Sequence, residues 1–438
     1  MSENTKTKAE ILEKLGIEAL NSMQEAALEA IPRQSEVVLL SPTGTGKTLA
    51  FLLPLTDFLD PEKEKVQALI LVPSRELAIQ IEQVAREMGS GLKINAVYGG
   101  RSASKDKIDL QHPPALLIGT PGRVADHIRR ENIETDAIQY LILDEFDKSL
   151  EVGFEKEMKA IVRALPNLAK KILTSATQQV EIPGFLHLKQ PFKLNYLQED
   201  NLPDLELRLL WSDQADKLAS LKNLLMQVGS GRGIIFCNYK DTIEFVSGFL
   251  QQENIHHICY FGGLEQRDRE RALIQFRNGT YRLMVATDLA ARGIDVPALD
   301  FIIHFQLPFQ KEEFIHRNGR TARMNTGGTA YLIHFKNKIL PEYLDPIEEV
   351  ILSEQGQIPA PSQWETLFIS GGRQDKISKG DIAGLFLKQG GLKKEELGLI
   401  ELKQDCAFVA VAKKHSQRLV EELNNSRLKK RKVRVKGI

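Results

Sequence analysis

The sequence is poor in cysteine, in long apolar runs and in net charge, and each shortage excludes a class of protein. Its three cysteines, Cys237, Cys259 and Cys406, form no CxxC pair and are too few for a disulfide framework. That points to a reducing compartment. No apolar run approaches the roughly 20 residues that span a bilayer, so no membrane is expected as a partner. The opening Met-Ser-Glu-Asn-Thr-Lys-Thr-Lys lacks the apolar stretch of a signal peptide, and a cytoplasmic location is the expectation. Lys and Arg number 58 and Asp and Glu 58, which argues against a simple polycation. Residues 1–23 contain no Phe, Tyr or Trp.

The charge that is present is unevenly spread. From Ser362 to Ile438 there are 17 Lys and Arg against 9 Asp and Glu, a net of +8, so the rest of the chain carries −8. The run Arg427-Leu428-Lys429-Lys430-Arg431-Lys432-Val433-Arg434-Val435-Lys436 concentrates it. This asymmetry points to an anion-binding end, although a solvated basic tail is the plainer reading of such a run taken alone.

The strongest local signal is Ser41-Pro42-Thr43-Gly44-Thr45-Gly46-Lys47-Thr48 after the apolar Val37-Val38-Leu39-Leu40. Gly44 and Gly46 allow a tight turn that brings backbone N–H groups to phosphate oxygens, and a helix starting near Lys47 adds its N-terminal dipole. Lys47 can reach the β and γ phosphates and Thr48 can ligate Mg2+. A second apolar run, Tyr140-Leu141-Ile142-Leu143, ends in Asp144-Glu145-Phe146-Asp147. Of Asp144 and Glu145, one can hold the metal and the other can orient or deprotonate a water; Asp144 is the candidate metal ligand. Together the two segments predict a nucleoside-triphosphatase. His316-Arg317-Asn318-Gly319-Arg320-Thr321-Ala322-Arg323 supplies arginines for transition-state charge. Arg320 and Arg323, at i and i+3, would share one face of a helical turn and act as arginine fingers, unless the segment is simply a basic surface cluster.

Apolar strands alternate with helical stretches through both halves of the first 340 residues, which predicts α/β domains with parallel sheets. The pattern pauses at Gln190–Leu205. A third unit reads β-α-β-β-α-β from Leu367 to Lys436, the order of the ferredoxin-like split βαβ and of RNA-recognition modules. The expected domains are residues 1–198, 206–345 and 365–438, with a linker at 346–364.

At this point the chain resembles a DEAD-box RNA helicase of superfamily 2, over about residues 10–340. Gly16 through Gln24 resembles the Q motif, Pro73-Ser74-Arg75-Glu76-Leu77 motif Ia, Gly99-Gly100 and Thr120-Pro121-Gly122-Arg123 the GG and Ib segments, and Ser175-Ala176-Thr177 motif III. Ser41–Thr48 and Asp144–Asp147 stand at motifs I and II. Ile234-Ile235-Phe236-Cys237-Asn238 resembles motif IV, Gln266 with Arg269 the Gln-x-x-Arg element, Val285 through Asp295 motif V and His316–Arg323 motif VI. The resemblance implies two RecA-like parallel-sheet domains in tandem that close on ATP, Mg2+ and RNA. Ser41, Pro42, Thr43, Gly44, Thr45, Gly46, Lys47 and Thr48 would hold the nucleotide. Gln24 would contact adenine, and Gly293 and Asp295 would lie near the ribose. Lys47, Asp144, Glu145, Arg320 and Arg323 would carry hydrolysis, and Asp147 with Ser175 and Thr177 would couple it to RNA. Arg75, Gly100, Thr120 and Arg123 would grip the RNA backbone from the first domain, and Gln266, Arg269 and Thr287 from the second. Such contacts position a strand without reading its sequence. ATP and RNA each favour closure in this reading, closure bends one strand out of pairing, and hydrolysis releases it.

Phe146 stands where the family has Ala, so its neighbours must be repacked. Phe368 through Ile377, with Gly380-Asp381-Ile382, resembles the start of a DbpA-type RNA-binding domain, a small α+β module with an RRM-like fold. Phe408 and Phe368 either stack bases or fill the core. Arg373, Lys376 and the 427–436 run are the expected contacts to structured, ribosomal RNA. The resemblance implies an RNA helicase, acting as a monomer. An ATP-dependent RNA clamp and a DNA helicase of the same superfamily are alternatives. A Zn2+ site at His256-His257-Cys259 is disfavoured, because two adjacent strand residues point to opposite faces.

Overall fold

The structure is a computed structural model that describes residues 6–100, 103–177, 181–197, 205–213, 217–288, 296, 299–321, 327–344, 347–352 and 356–438. The chain divides into two compact units near residue 204.

The first unit is built on a seven-stranded parallel sheet. Its strands are β1 (Glu36–Leu40), β2 (Ala68–Leu71), β3 (Ile94–Val97), β4 (Leu116–Gly119), β5 (Tyr140–Leu143), β6 (Lys170–Ser175) and β7 (Phe192–Asn195), in the order β3-β4-β2-β5-β6-β1-β7. Helices cover both faces, as a parallel sheet requires. The central strands β2 and β4 are buried throughout and read as continuous apolar runs. Two core layers result, one around Phe51, Ile70 and Ile118, the other around Leu69, Leu141 and Met158. Strand β6 lies between β1 and β5, with Leu40 opposite Ser175 and Leu143 opposite Leu173. The loops after β1 and β5 therefore open at the same edge of the sheet, one strand apart. Ligands of open α/β sheets bind at such carboxyl edges.

The second unit holds another seven-stranded parallel sheet: β8 (Leu205–Ser212), β9 (Gly233–Phe236), β10 (Ile258–Tyr260), β11 (Leu283–Ala286), β12 (Phe301–His304), β13 (Gly328–Phe335) and β14 (Glu348–Glu349), ordered β10-β11-β9-β12-β13-β8-β14. Glu348–Glu349, inside the stretch expected as linker, pairs with β8. The same unit carries a four-stranded antiparallel sheet of β15 (Trp364–Ile369), β16 (Leu397–Leu402), β17 (Ala407–Ala412) and, after a short hairpin of β18 (Arg427–Leu428) and β19 (Arg431–Lys432), β20 (Val435–Gly437). Two helical segments, Lys379–Gly384 continued by Leu385–Gln389, and Lys413–Leu423, pack on one of its faces. The last strand of the β-α-β-β-α-β order is thus split into a hairpin arm and β20.

Candidate active site and nucleic-acid interface

The candidate phosphate-binding segment runs from the end of β1 into helix α3 (Lys47–Leu55), the third helix after α1 (Lys8–Leu15) and α2 (Ser22–Arg33). Ser41 N–H donates to Ser175 O at 3.1 Å, which continues the β1–β6 ladder into the loop. Gly46, at φ 86°, is the N-cap of α3 and supplies no side-chain cap. A helix start without a side-chain cap is a setting that receives anions. A Cβ on Gly46 would also sit 2.4 Å from Gln24 Nε2, so glycine is required there twice over. Lys47 Nζ donates to Ser41 O (2.5 Å) and Pro42 O (2.7 Å). Thr45 Oγ1 donates to Pro42 O (2.9 Å) and lies 2.8 Å from Ser41 Oγ. Thr43 Oγ1 is buried with no hydrogen-bond partner among the described residues. A loop with positive φ at Gly44 and Gly46, a buried ammonium and an unsatisfied hydroxyl fits a bound polyphosphate.

The N-cap of α2, Asn21, and its third residue, Gln24, hold this loop from outside. Gln24 Nε2 donates to Gly46 O (3.3 Å) and Asn21 Nδ2 to Thr45 O (3.0 Å). Their other amide oxygens cap the helix: Asn21 Oδ1 accepts from Gln24 N (2.9 Å) and Gln24 Oε1 from Asn21 N (3.1 Å). Asn21 escaped the sequence reading, although an Asn three residues before a Gln at a helix start is a capping-box signature.

At the end of β5, Asp144 and Glu145 are 3% and 8% exposed. Glu145 has φ 49°, a left-handed conformation that costs a non-glycine residue about 1 kcal/mol or more and is typical of functional sites. Thr174, on β6, bridges the pair. Its Oγ1 donates to Asp144 Oδ1 and accepts from Glu145 N–H at 3.2 Å. Burial pushes the Asp144 carboxyl above its ordinary range, opposed by the Thr174 hydrogen bond and by the charge of Lys47. Asp147 Oδ2 accepts from Ser175 Oγ (2.9 Å) and Thr177 Oγ1 (3.2 Å), and Thr177 N–H donates to Ser175 Oγ (3.0 Å). The structure thus brings Asp147, Ser175 and Thr177 into one network. Phe146 points away from it into the second core layer, with Leu141, Met158 and Leu173, and is 2% exposed. Its extra volume is taken up there, and the Asp147 network stays intact.

The other first-unit candidates sit on the loops after β2, β3 and β4, which are neighbours in the sheet. Arg75 opens helix α4 (Arg75–Met88), and its guanidinium lies against Gly100, where a Cβ would approach Nη1 to 2.4 Å. After helix α5 (Ala103–Leu110), Thr120 is the N-cap of α6 (Pro121–Arg129) with no side-chain cap bond. Arg123 is held by Asp106 Oδ2 through Nε (2.9 Å) and Nη2 (2.7 Å), and Asp106 is fully buried. Asp106 gave no signal in the sequence, because it lies on an ordinary amphipathic helix.

In the second unit, Gln266 and Arg269 share the first turn of a helix at Gln266–Arg277 and hydrogen-bond to each other. Thr287 follows β11. Arg317 is 1% exposed and forks onto Asp288, with further bonds to Asn238 Oδ1 (2.8 Å) and Gln306 O (2.7 Å). It ties the segments that resemble motifs IV, V and VI together, a role no count of arginines reveals. The helix carrying it ends at Asn318, so Arg320 stands in the following turn and not on a helical face. Gly293, Asp295 and Arg323 lie outside the described residues. His257 is engaged by Ser247 Oγ and Ile255 O, both at 2.8 Å.

Arg373 and Lys376 are exposed on one rim of the small domain. The basic hairpin folds back onto that rim: Lys429 Nζ donates to Lys376 O (2.6 Å) and pairs with Asp381 (2.8 Å), and Arg431 pairs with Asp375. Phe368 and Phe408 pack edge to face at 5.6 Å. Neither belongs to the domain's core cluster.

Comparison with known proteins agrees with this geometry. Residues 21–183 match the DEAD/DEAH box helicase family, 216–325 the helicase conserved C-terminal domain and 366–436 the DbpA RNA binding domain. The chain is 30% identical to ATP-dependent RNA helicase DbpA of Bacillus subtilis, over 97% of this chain and 96% of that one. It is 32% identical to the Escherichia coli protein of the same description, again over 97% and 96%. Among solved structures it resembles S. cerevisiae Dbp5 bound to RNA and ADP BeF3, with a TM-score of 0.67 and 27% identity over 75% of this chain and 88% of that one. The chain belongs to the DEAD-box ATP-dependent RNA helicases of the DbpA type, with two RecA-like domains followed by a DbpA RNA-binding domain.

Proposed function

We propose that this helicase remodels structured ribosomal RNA during ribosome assembly, as a cytoplasmic monomer, by coupling ATP hydrolysis to local strand separation. The observation that supports the coupling is a pair of hydrogen-bonded networks, one of Thr174 with Asp144 and Glu145, the other of Asp147 with Ser175 and Thr177. Thr174 and Ser175 are consecutive on β6, so the two networks abut at the edge where phosphate would lie. Lys47 and the N–H groups of the 41–48 segment bind the phosphates, and Gln24 reads adenine. Thr48 and Asp144 would hold Mg2+, which supplies charge neutralisation at the phosphates when bound. The Glu145 carboxylate orients the attacking water and takes its proton. Arg320 and Arg323 neutralise developing charge, and Gly293 and Asp295 contact the ribose.

Arg75, Gly100, Thr120 and Arg123 bind RNA phosphates from one domain, and Gln266, Arg269 and Thr287 from the other. Arg373, Lys376 and the basic hairpin anchor the ribosomal RNA. The intact Asp147 network beside Phe146 supports a helicase that unwinds over a clamp that only closes. ATPase rate measured with total ribosomal RNA, with unstructured RNA and with no RNA tests the proposal. Stimulation by ribosomal RNA well above that by unstructured RNA is expected, and removal of residues 362–438 should abolish the difference. Equal stimulation by both RNAs in the full chain would overturn the ribosomal assignment.

A further inference from the structure

His304 is a buried titratable group with no place among the phosphate or RNA contacts. It closes β12, the middle strand of the second unit's parallel sheet, between Phe236 of β9 and Leu332 of β13. Its ring is fully buried and stacks on Phe314 at 4.9 Å. Nε2 lies 2.9 Å from Asn318 Oδ1, and Asn318 is buried as well. Burial and the nearby Arg317 charge push the His304 imidazole down to about 3, so the ring is neutral near pH 7. A neutral ring that faces a carbonyl oxygen donates from the nitrogen facing it. The Nδ1 lone pair is left with no hydrogen-bond partner among the described residues.

Stability does not account for this pair. Replacing both partners of a buried hydrogen bond by apolar groups of the same shape can be neutral or stabilising, and here one ring nitrogen stays unsatisfied as well. What the pair does fix is a place. Phe314 and Asn318 stand one turn apart on the Lys311–Asn318 helix. His304 therefore grips the last turn of that helix twice, by stacking and by hydrogen bond. The chain then leaves the helix in a tight turn. Gly319 N–H donates to Ile315 O (2.9 Å), Arg320 N–H to Arg317 O (3.1 Å) and Thr321 N–H to Asn318 O (3.1 Å). At the far side Thr321 is fully buried, and its Oγ1 donates to Leu299 O at 2.7 Å. Arg320, itself buried, sits between these two pins.

We propose that His304 is a positioning residue for hydrolysis: through Asn318 it fixes the turn that carries Arg320. The inference rests on the reading of Arg320 as a group that neutralises developing charge. Such a group helps most when it is in place before the charge appears, and a displacement of about 1 Å can lower a rate about a hundredfold. Apolar contact is non-directional and would let the end of the helix slide over the sheet. A hydrogen bond from the end of a central strand holds one distance and one direction.

A double-mutant cycle on the full chain tests this, read as ATPase at saturating total cellular RNA. His304→Phe keeps a ring against Phe314 and removes the donor. Its kcat should fall about tenfold with KM for ATP unchanged, the mark of an interaction made only in the transition state. His304→Gln, whose amide N–H can reach the same oxygen, should restore most of the rate. Arg320→Ala should lower kcat about a thousandfold. In that background His304→Phe should have no further effect, because the residue it acts through is gone. His304→Phe with Asn318→Leu makes both partners apolar, so the urea midpoint should return to that of the parent while kcat stays low. The same variant carries the test if His304→Phe alone fails to fold. A full tenfold effect of His304→Phe on top of Arg320→Ala, or a paired variant whose rate recovers with its stability, overturns the positioning role. The reading of Arg320 fails by a different result: Arg320→Ala with the parental kcat removes it, and the inference with it.

Discussion

Replacing Thr174 by Val keeps the shape of the side chain and removes one oxygen. That oxygen is fully buried, donates to the Asp144 carboxylate and accepts from Glu145 N–H. Losing a hydrogen bond to a charged group costs about 2 kcal/mol, and a buried N–H left without an acceptor costs about 1 kcal/mol more. Destabilisation of about 3 kcal/mol corresponds to a melting temperature lower by about 6 to 12 °C for a domain of this size. The chemistry shifts as well. Burial raises the Asp144 carboxyl and the Thr174 bond lowers it, so its loss moves that carboxyl further up. If Asp144 must be ionised, hydrolysis fails as pH falls through its pKa, and Thr174→Val should move this acid limb toward neutral pH. Calorimetry and a pH profile of RNA-stimulated kcat/KM report the two effects separately. Thr174→Ser, which keeps the hydroxyl, should recover both. A Thr174→Val protein that melts with its parent and keeps its acid limb refutes the bridge.

Two further outcomes follow from burial elsewhere. Phe146→Ala empties part of the core layer around Leu141, Met158 and Leu173 and should cost about 3 to 5 kcal/mol in urea unfolding. ATP consumed per strand released should stay unchanged, because Asp147 keeps both hydroxyl donors. Lys217 is buried against Phe305 O (3.0 Å), Ile333 O (2.7 Å) and the Phe335 ring, and desolvation lowers its ammonium to about 8. Below that pH the buried charge weakens the fold. Between about 8 and 10.5 the unfolded chain binds the extra proton, so this group makes stability rise with pH. Lys217→Met should flatten that rise in the urea midpoint; an unchanged slope would mean the amine stays hydrated.

The parts of this site that were legible in sequence are those fixed by local chemistry. A strand, a glycine-bearing loop and a Lys-Thr helix start mark the candidate phosphate segment without any knowledge of the sheet. Thr174, Asp106 and Arg317 were not legible, because their meaning depends on what the sheet brings opposite them. Thr174 matters only once β6 lies beside β5. Arg317 matters only once Asp288 and Asn238 converge on it, and nothing in its segment distinguishes it from Arg320. β7 and β8 lack the mark that makes a central strand legible. β7 is an edge strand whose Phe-Lys-Leu-Asn buries a single residue, and β8 interleaves Glu and Arg with its leucines. Neither presents the apolar run of a central parallel strand.

The paired amides of Asn21 and Gln24 have a consequence for dynamics. Each spends one end on the start of α2 and the other on a carbonyl of the phosphate loop. Fraying of the first turn of α2 and loosening of the loop are therefore one opening event, seen from two places. Ligand that rigidifies the loop must slow amide exchange at the head of α2, and a substitution that frays α2 must weaken nucleotide affinity by the same free energy.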